Sequence, residues 1–298
     1  MSTRADETAA AARPGGFPAA GLDALPPAAM ARKAEDVGKA KADLGAANMF
    51  ALAVLAGAFI AMGAIFATTT TAGGAALPYG VARLLAGITF SLGLVLVVIA
   101  GAELFTGNNL IVMAWASRRV STVRLLRNWT IVYVGNFCGA IATAGLMYAT
   151  KQYAFGKGAV GAQVLAIASA KTALGFGQAI ALAIFCNALV CLAVWLCYSA
   201  RTTADRILAI IPPIAAFVAS GFEHSVANMY FIPIGLFVKS DDAFVARTPD
   251  LPDLTNLTWG HFVVDNLIPV TIGNVIGGTL LVGALYWFVY LRPARATS

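Results

Sequence analysis

Long runs without a charged residue are the feature that most limits how this chain can fold. Five such runs each reach the roughly 20 residues that a helix needs to cross a bilayer: 44–82, 84–102, 128–150, 172–200 and 266–291. Only 11% of the 298 residues are charged, against roughly 25% in an ordinary soluble domain. A soluble fold is excluded because the chain lacks the charge to cover its surface. We predict an all-α integral membrane protein in contact with the lipid bilayer.

Shorter uncharged runs indicate that two of the helices are broken. Residues 104–117, 207–222 and 224–238 cannot each span a core about 30 Å thick, since a helix rises about 1.5 Å per residue. Single acidic residues, Glu103 and Glu223, separate them from neighbouring runs. We expect 84–117 and 207–238 to be spans interrupted in mid-membrane. With four continuous helices they give six spans, in a channel domain over 48–292.

The distribution of Lys and Arg predicts the orientation. Fourteen of the twenty lie in the N-terminal tail, in loops expected on the same face, or after the last span, whereas the opposite 239–265 loop holds five Asp. Because cationic residues concentrate on the cytoplasmic side, both termini are predicted to be cytoplasmic. The net charge of +6 is then a topology signal, and no nucleic-acid partner is expected.

The two ends of the chain differ from the channel domain. Residues 1–27 are rich in Ala, Pro and Gly and have no long apolar core, which predicts a disordered leader rather than a signal peptide. Residues 28–47 mix charged and helix-forming side chains, as is typical of an amphipathic helix on the cytoplasmic face, and a plain solvated leader is the alternative. Residues 293–298 are a C-terminal tail.

An internal repeat relates the two broken spans. Gly101–Asn108 and Gly221–Asn228 both read G-x-E-x4-N, and the spans that follow both read N-x6-G-N-x2-G, starting at Asn128 and at Asn266. The chain is therefore two copies of a three-helix unit. Because each copy makes an odd number of crossings, the copies lie in opposite orientations. Matching broken helices in inverted halves are typical of a transport site near the bilayer midplane.

The acidic and amide residues of the repeat are interpreted as structural. A carboxylate in hydrocarbon must be paired, protonated or hydrogen-bonded. We expect Glu103 and Glu223 to accept hydrogen bonds from the free backbone N–H groups at each break, with Asn108 and Asn228 beside them. A direct substrate role is disfavoured because an anionic lining repels anions.

Other residues near the breaks are candidates for the transport path. His224 replaces Leu104 of the first copy, and an imidazole can donate a hydrogen bond or a proton near neutral pH. Lys171 opens the fourth span, where it is either a snorkelling end residue or a group that concentrates anions in an outer vestibule. The remaining candidates line or narrow a pore, or simply pack: Thr106, Phe90, Phe105 and Phe217.

The motifs resemble those of the formate/nitrite transporter family. Gly101–Asn108 is similar to the signature of the family's first break, Gly221–Met229 to that of its second, and Asn266–Asn274 to its last span. The resemblance covers about residues 28–292. Leu77–Gly80 and Trp259–Asp265 are most similar to the formate-conducting branch.

The resemblance implies an aquaporin-like, six-helix fold in a homopentamer of a bacterial cytoplasmic (inner) membrane, with one pore per protomer. It implies that residues 103–107 form a mobile gating loop and that Thr106 meets His224 at mid-depth. It places Phe90 and Phe217 at an outer constriction and Leu94 and Leu104 at an inner one. It also favours Lys171 as an electrostatic contributor and Asn187 as a polar group beside the pore.

The function predicted from these features is a channel or transporter for small monovalent anions, formate first, with proton coupling through His224 or a fixed hydrogen bond from it. A nitrite or hydrosulfide channel stays open, because Glu103 and Gly107-Asn108 match relatives of those types. An aquaporin-type neutral-solute channel is less favoured because the chain contains no Asn-Pro pair. An ammonium channel lacks its paired histidines. No enzymatic activity, metal or cofactor is expected, since Ser225 adjoins His224 in a poor arrangement for hydrolysis.

Overall fold

The computed structural model describes residues 24–74 and 77–292, and all regular secondary structure in these ranges is helical. The helices are α1 Pro27–Asp43, α2 Ala46–Thr71, α3 Tyr79–Ala100, α4 Val112–Ala116, α5 Thr122–Ala149, α6 Ala159–Thr172, α7 Phe176–Ser199, α8 Thr203–Ala219, α9 Ser225–Lys239, α10 Asp242–Arg247 and α11 Trp259–Tyr290. A 3₁₀ turn, Gly107–Ile111, leads into α4, and α11 widens into π-helical turns at Phe262–Leu267 and Gly277–Ala284.

The predicted six spans are confirmed. Five helices of the described residues are long and apolar enough to cross a membrane: α2, α3, α5, α7 and α11. The sixth crossing is made by α8 and α9 together, and α3 continues across its own break into α4. Both breaks begin at a glycine in the left-handed region, Gly101 with φ of 83° and Gly221 with φ of 73°. Only glycine adopts this backbone without steric cost, and it ends each helix there.

Contacts at the face that carries α1 show that the two halves are inverted. The N–H of Leu25 donates to the carbonyl of Ser199 over 3.4 Å, and Lys33 Nζ donates to the carbonyl of Tyr198 over 3.0 Å. Helix α7 therefore ends at this face, whereas α2 starts from it directly after α1. The inverted repeat predicted by counting crossings is confirmed.

The repeat extends one helix further than the sequence motifs indicate. Helix α1 precedes α2 in the first half, and α6 precedes α7 in the second. The prediction that Lys171 opens the fourth span is wrong, because Lys171 lies in the last turn of α6 and the span begins at Phe176. The extended backbone at Gly175 separates the two helices. An uncharged run conceals such a break because no charge marks it.

Glycines of the second motif set the closest helix contacts. A Cβ atom on Gly139 of α5 would lie 2.0 Å from the carbonyl oxygen of Val54 in α2. A Cβ atom on Gly277 of α11 would lie 2.1 Å from the carbonyl oxygen of Ile184 in α7. Small residues allow membrane helices to approach this closely. Both halves thus use the last glycine of N-x6-G-N-x2-G for the same purpose.

The predicted leader and tail fall mostly outside the described residues. Residues 1–23 and 293–298 are not among them, and the chain becomes helical at Pro27. Helix α1 packs against the 3₁₀ turn and α4 with its small residues, among them Ala31, Ala34 and Gly38, buried.

We expect Gly139→Ala to lower the thermal unfolding temperature of the detergent-solubilised protein by several degrees. The added methyl group meets a backbone carbonyl that cannot rotate away, and overpacking of this kind costs about 1–3 kcal/mol. Gly145→Ala on the same helix is the matched control, since nothing lies within 4 Å of its added Cβ. Equal unfolding temperatures for the two variants would contradict the close contact between α2 and α5.

Candidate functional site

The first break is held by a chain of side chains around Glu103. Its Oε1 accepts a hydrogen bond from Lys41 Nζ over 2.6 Å, and its Oε2 accepts one from Asn108 Nδ2 over 2.7 Å. Asn108 Nδ2 also donates to Asn128 Oδ1 over 3.0 Å, and Asn128 Nδ2 donates to the carbonyl of Lys41 over 3.1 Å. The network joins α1, the break and α5.

The second break repeats this network with the equivalent residues of the second half. Lys171 Nζ lies 2.7 Å from Glu223 Oε1, and Asn228 Nδ2 donates to Glu223 Oε2 over 2.6 Å. Asn228 Nδ2 also donates to Asn266 Oδ1 over 2.7 Å, and Asn266 Nδ2 donates to the carbonyl of Lys171 over 2.9 Å. Lys41 and Lys171 are therefore equivalent residues.

Two further asparagines satisfy the backbone at the breaks. Asn136 Oδ1 accepts the N–H of Phe105 over 2.9 Å, while its Nδ2 donates to the carbonyls of Ala53 and Glu103. Asn274 accepts the N–H of Ser225 over 2.9 Å and donates to two carbonyls in the same way.

The predicted partners of Glu103 and Glu223 therefore need correction. Both glutamates are buried at the breaks, and each lies beside its predicted asparagine, Asn108 or Asn228. Their oxygens accept hydrogen bonds from Lys and Asn side chains rather than from free backbone N–H groups. A buried carboxylate needs a countercharge, and an ammonium group provides one whereas a backbone amide does not.

His224 joins the two halves. Its Nδ1 accepts the backbone N–H of Ala227 over 3.0 Å, which caps the first turn of α9. Its Nε2 lies 2.9 Å from Thr106 Oγ1 in the first break. Because Nδ1 faces a donor, it carries no proton, and the neutral ring has its proton on Nε2. This N–H donates to Thr106, whose own hydroxyl hydrogen is left to donate elsewhere.

An open cavity of about 850 Å³ leads from the face opposite α1 down to His224. Phe90 and Phe217 line its deeper part with their ring centroids 5.6 Å apart, edge to face. Phe217 also stacks on the His224 ring at 6.0 Å. Lys171 and Glu223 lie in its wall. The predicted outer aromatic residues and the histidine are thus brought together.

Other predicted pore residues do not line this cavity. Leu94 and Leu104 are buried, with Leu94 one turn of α3 further than Phe90 from the open face. The Phe105 ring packs edge to face on Tyr133 at 4.9 Å.

Asn187 is a buried amide whose place beside the pore stays a prediction. Its amide nitrogen donates to Asn109 Oδ1 over 2.8 Å and to the carbonyl of Asn274 over 2.6 Å. Both amide hydrogens are therefore engaged in tying the turn after the first break to α11, and Asn187 is not part of the cavity wall. An isolated Asn in an apolar helix gives no signal that distinguishes these two roles.

Sequence reasoning missed three kinds of residue here. Lys41 was not recognised as the counterpart of Lys171, because the spacing between each lysine and its glutamate differs between the halves. The asparagines of the second motif were found as a pattern but given no role. Arg83 in the cavity wall was not singled out.

Comparisons with known proteins agree with this geometry. The model of the protein family described as formate/nitrite transporter matches residues 28–288 of this chain. The chain is 46% identical over 274 residues to formate channel FocA of Escherichia coli K12, covering 91% of this chain and 96% of that protein. It is 40% identical over 274 residues to a probable formate transporter of Methanothermobacter thermautotrophicus, covering 85% and 92%.

Solved structures match as well. A pentameric formate channel with formate bound superimposes with a TM-score of 0.78 at 46% identity, over 83% of this chain and 98% of that one. An FNT family ion channel gives a TM-score of 0.72 at 30% identity, over 87% and 98%.

The Lys41–Glu103 contact predicts an energetic coupling. Lys41→Met leaves a buried carboxylate without its countercharge, and breaking a buried pair costs about 3–5 kcal/mol. The cost here is expected to be smaller, since 27% of the Lys41 side chain is exposed. The thermal unfolding temperature should therefore fall markedly in Lys41→Met and should recover in part in the double variant Lys41→Met/Glu103→Gln. Purely additive effects in this double-mutant cycle would show that the pair is not coupled.

Proposed function

The chain belongs to the formate/nitrite transporter family, and from that premise we propose that it is a membrane channel for small monovalent anions, with formate as the principal substrate. The observation that carries the proposal is the His224–Thr106 hydrogen bond at the floor of a cavity walled by Phe90 and Phe217. Formate is favoured over nitrite because relatives at 46% identity are formate channels. The protein is not an enzyme.

The geometry supports a mechanism in which protein donors replace water around the anion. A carboxylate with a pKa like that of Asp, about 3.9, arrives ionised at neutral pH. Moving it bare past aromatic rings would cost several kcal/mol. His224 lies where the cavity ends. An anion there can replace Thr106 Oγ1 as the acceptor of the Nε2–H and can also accept the hydroxyl hydrogen of Thr106.

The capping bond of His224 favours a fixed donor over a proton transfer from the ring. A neutral ring that gave its Nε2 proton to formate would become an imidazolate anion, so the proton donor would have to be an imidazolium that carries a proton on Nδ1 as well. Nδ1 already accepts the N–H of Ala227, so a proton there would place two donors face to face. We therefore favour the mechanism in which His224 stays neutral and stabilises the anion by hydrogen bonding.

We propose a homopentamer with a pore in each protomer, as supported by the pentameric relative. We place it in the bacterial cytoplasmic (inner) membrane with both termini cytoplasmic, following the Lys and Arg distribution. Helix α1 then lies on the cytoplasmic face. Along the chain it follows the leader and precedes the channel domain, residues 48–292, which the C-terminal tail follows. Residues 103–107 are proposed as the gating loop because the Thr106–His224 contact closes the cavity floor.

His224→Asn tests the role of the histidine. Asn is a good N-cap residue, so it can keep the bond to Ala227, but it is too short to reach Thr106. Formate uptake into proteoliposomes should fall at least tenfold, as one lost hydrogen bond to a charged group is worth about 1.5–3 kcal/mol. His224→Phe, which removes the cap as well, should lose uptake and also unfold at a lower temperature.

The pH profile of the same assay separates the two mechanisms. A neutral, fixed donor predicts that wild-type uptake follows no titration near pH 6.5, the ordinary pKa of histidine. A step near that pH that disappears in His224→Asn would establish a charged imidazole instead. Wild-type uptake no greater than that of empty liposomes would reject the formate channel itself.

The aromatic wall predicts selectivity for small anions. Phe217→Ala should remove the edge-to-face contact with Phe90 and widen the path, so that lactate uptake rises relative to formate uptake. The lactate-to-formate ratio measured on one liposome preparation checks this. Phe185→Ala, which alters an exposed ring stacked on Phe222, is the control and should leave the ratio unchanged. An unaltered ratio in Phe217→Ala would exclude the constriction.

A further inference from the structure

Four charged side chains contribute to the wall of the open cavity that ends at His224, called the outer cavity below: Arg83, Lys171, Glu223 and Asp250. Lys171 and Glu223 form an ion pair at 2.7 Å, with only 15% and 6% of their side chains exposed. To an anion that approaches from solution, such a pair is a small dipole rather than a positive charge. Lys171 is also held over the Phe231 ring, 5.5 Å from its centroid. It is therefore engaged on both sides.

Arg83 is a cation of the cavity wall whose charge is not offset by an ion pair among the described residues. Its Nε donates to the carbonyl of Ala219 over 3.2 Å, and its Nη2 donates to the carbonyl of Val218. These acceptors are neutral, and no carboxylate of residues 24–74 or 77–292 forms an ion pair with the guanidinium. Two hydrogen bonds to the end of α8 fix its position, and the dipole at a helix C-terminus stabilises a cation there.

The place of Arg83 along the path suits recruitment of an anion. It lies in the first turns of α3, half-buried in the same cavity whose floor is His224. The guanidinium also lies against the Gly221 turn, 3.4 Å from where a Cβ atom of Gly221 would be. That turn leads directly into Glu223 and His224. An anion drawn to Arg83 would thus lie next to the segment that presents the histidine.

We propose that Arg83 is the residue that draws the substrate anion into the outer cavity, and that Lys171 instead positions Glu223 and the second break. This inference rests on the proposed anion-channel function and deepens it. Asp250, an exposed residue of the same cavity wall, carries a charge opposite to that of Arg83. Walls of low dielectric constant focus the field of a single charge along such a cavity.

The test compares two variants in proteoliposomes at low formate concentration. Arg83→Lys keeps the charge, whereas Arg83→Gln keeps an amide donor for the carbonyls of α8 but loses the charge. In about 10 mM salt, where the Debye length is roughly 30 Å, Arg83→Gln should reduce initial uptake about two- to fivefold. Arg83→Lys should stay near wild type. In about 1 M salt the difference should vanish, and saturating uptake should be equal in all three proteins.

Two further variants complete the experiment. Lys157→Gln removes an exposed cation that does not line the cavity, and it should change nothing. Asp250→Asn removes the opposing carboxylate and should raise low-salt uptake. Unchanged low-salt uptake in Asp250→Asn would overturn the proposal even if Arg83→Gln fails to fold.

The outcomes separate this inference from the function on which it rests. Equal reduction by Arg83→Lys and Arg83→Gln at every salt concentration would assign Arg83 to helix capping alone and overturn the proposal. Wild-type behaviour of both Arg83→Gln and Asp250→Asn would overturn it too, while leaving the formate channel intact. Absence of uptake by the wild type would overturn the channel function first.

Discussion

Two helices interrupted inside a membrane are the constraint on which the structure depends. Every interruption exposes backbone groups that hydrocarbon cannot satisfy, each at a cost of several kcal/mol. The protein meets this cost with asparagines: Asn136 and Asn274 hydrogen-bond the backbone, and Asn108 and Asn228 hold the glutamates. A lysine neutralises each glutamate. These contacts hold the interrupted segments in the arrangement in which Thr106 and His224 meet.

The duplication made most of this architecture predictable from the sequence. A repeated motif with an acid and an amide reveals the breaks, and an odd number of crossings determines the inversion. The lysine partners were harder to predict, since α1 and α6 connect to the breaks through space and vary in their distance along the chain. The separation of α6 from α7 was missed because a bend at Gly175 leaves no trace in the charge pattern.

The candidate site was predictable in its members but not in its chemistry. His224 and Phe217 follow from their places near the second break, yet the sequence does not reveal which nitrogen of the imidazole bears the proton. That information comes from the Ala227 N–H, a backbone group with no signature of its own. The same limit applies to Lys171, whose charge is visible in the sequence although the ion pair that offsets it is not.

The difference between Leu104 and His224 makes the two ends of the proposed pathway chemically unequal. Two inverted copies with identical side chains would offer the same surroundings to a solute from either compartment. A leucine at one position and an imidazole at the equivalent one remove that symmetry. In the proposed pathway, an anion moving inward and one moving outward therefore meet the apolar and the polar side chain in opposite order. One divergent position between the halves is enough to make the two ends of a symmetrical scaffold chemically different.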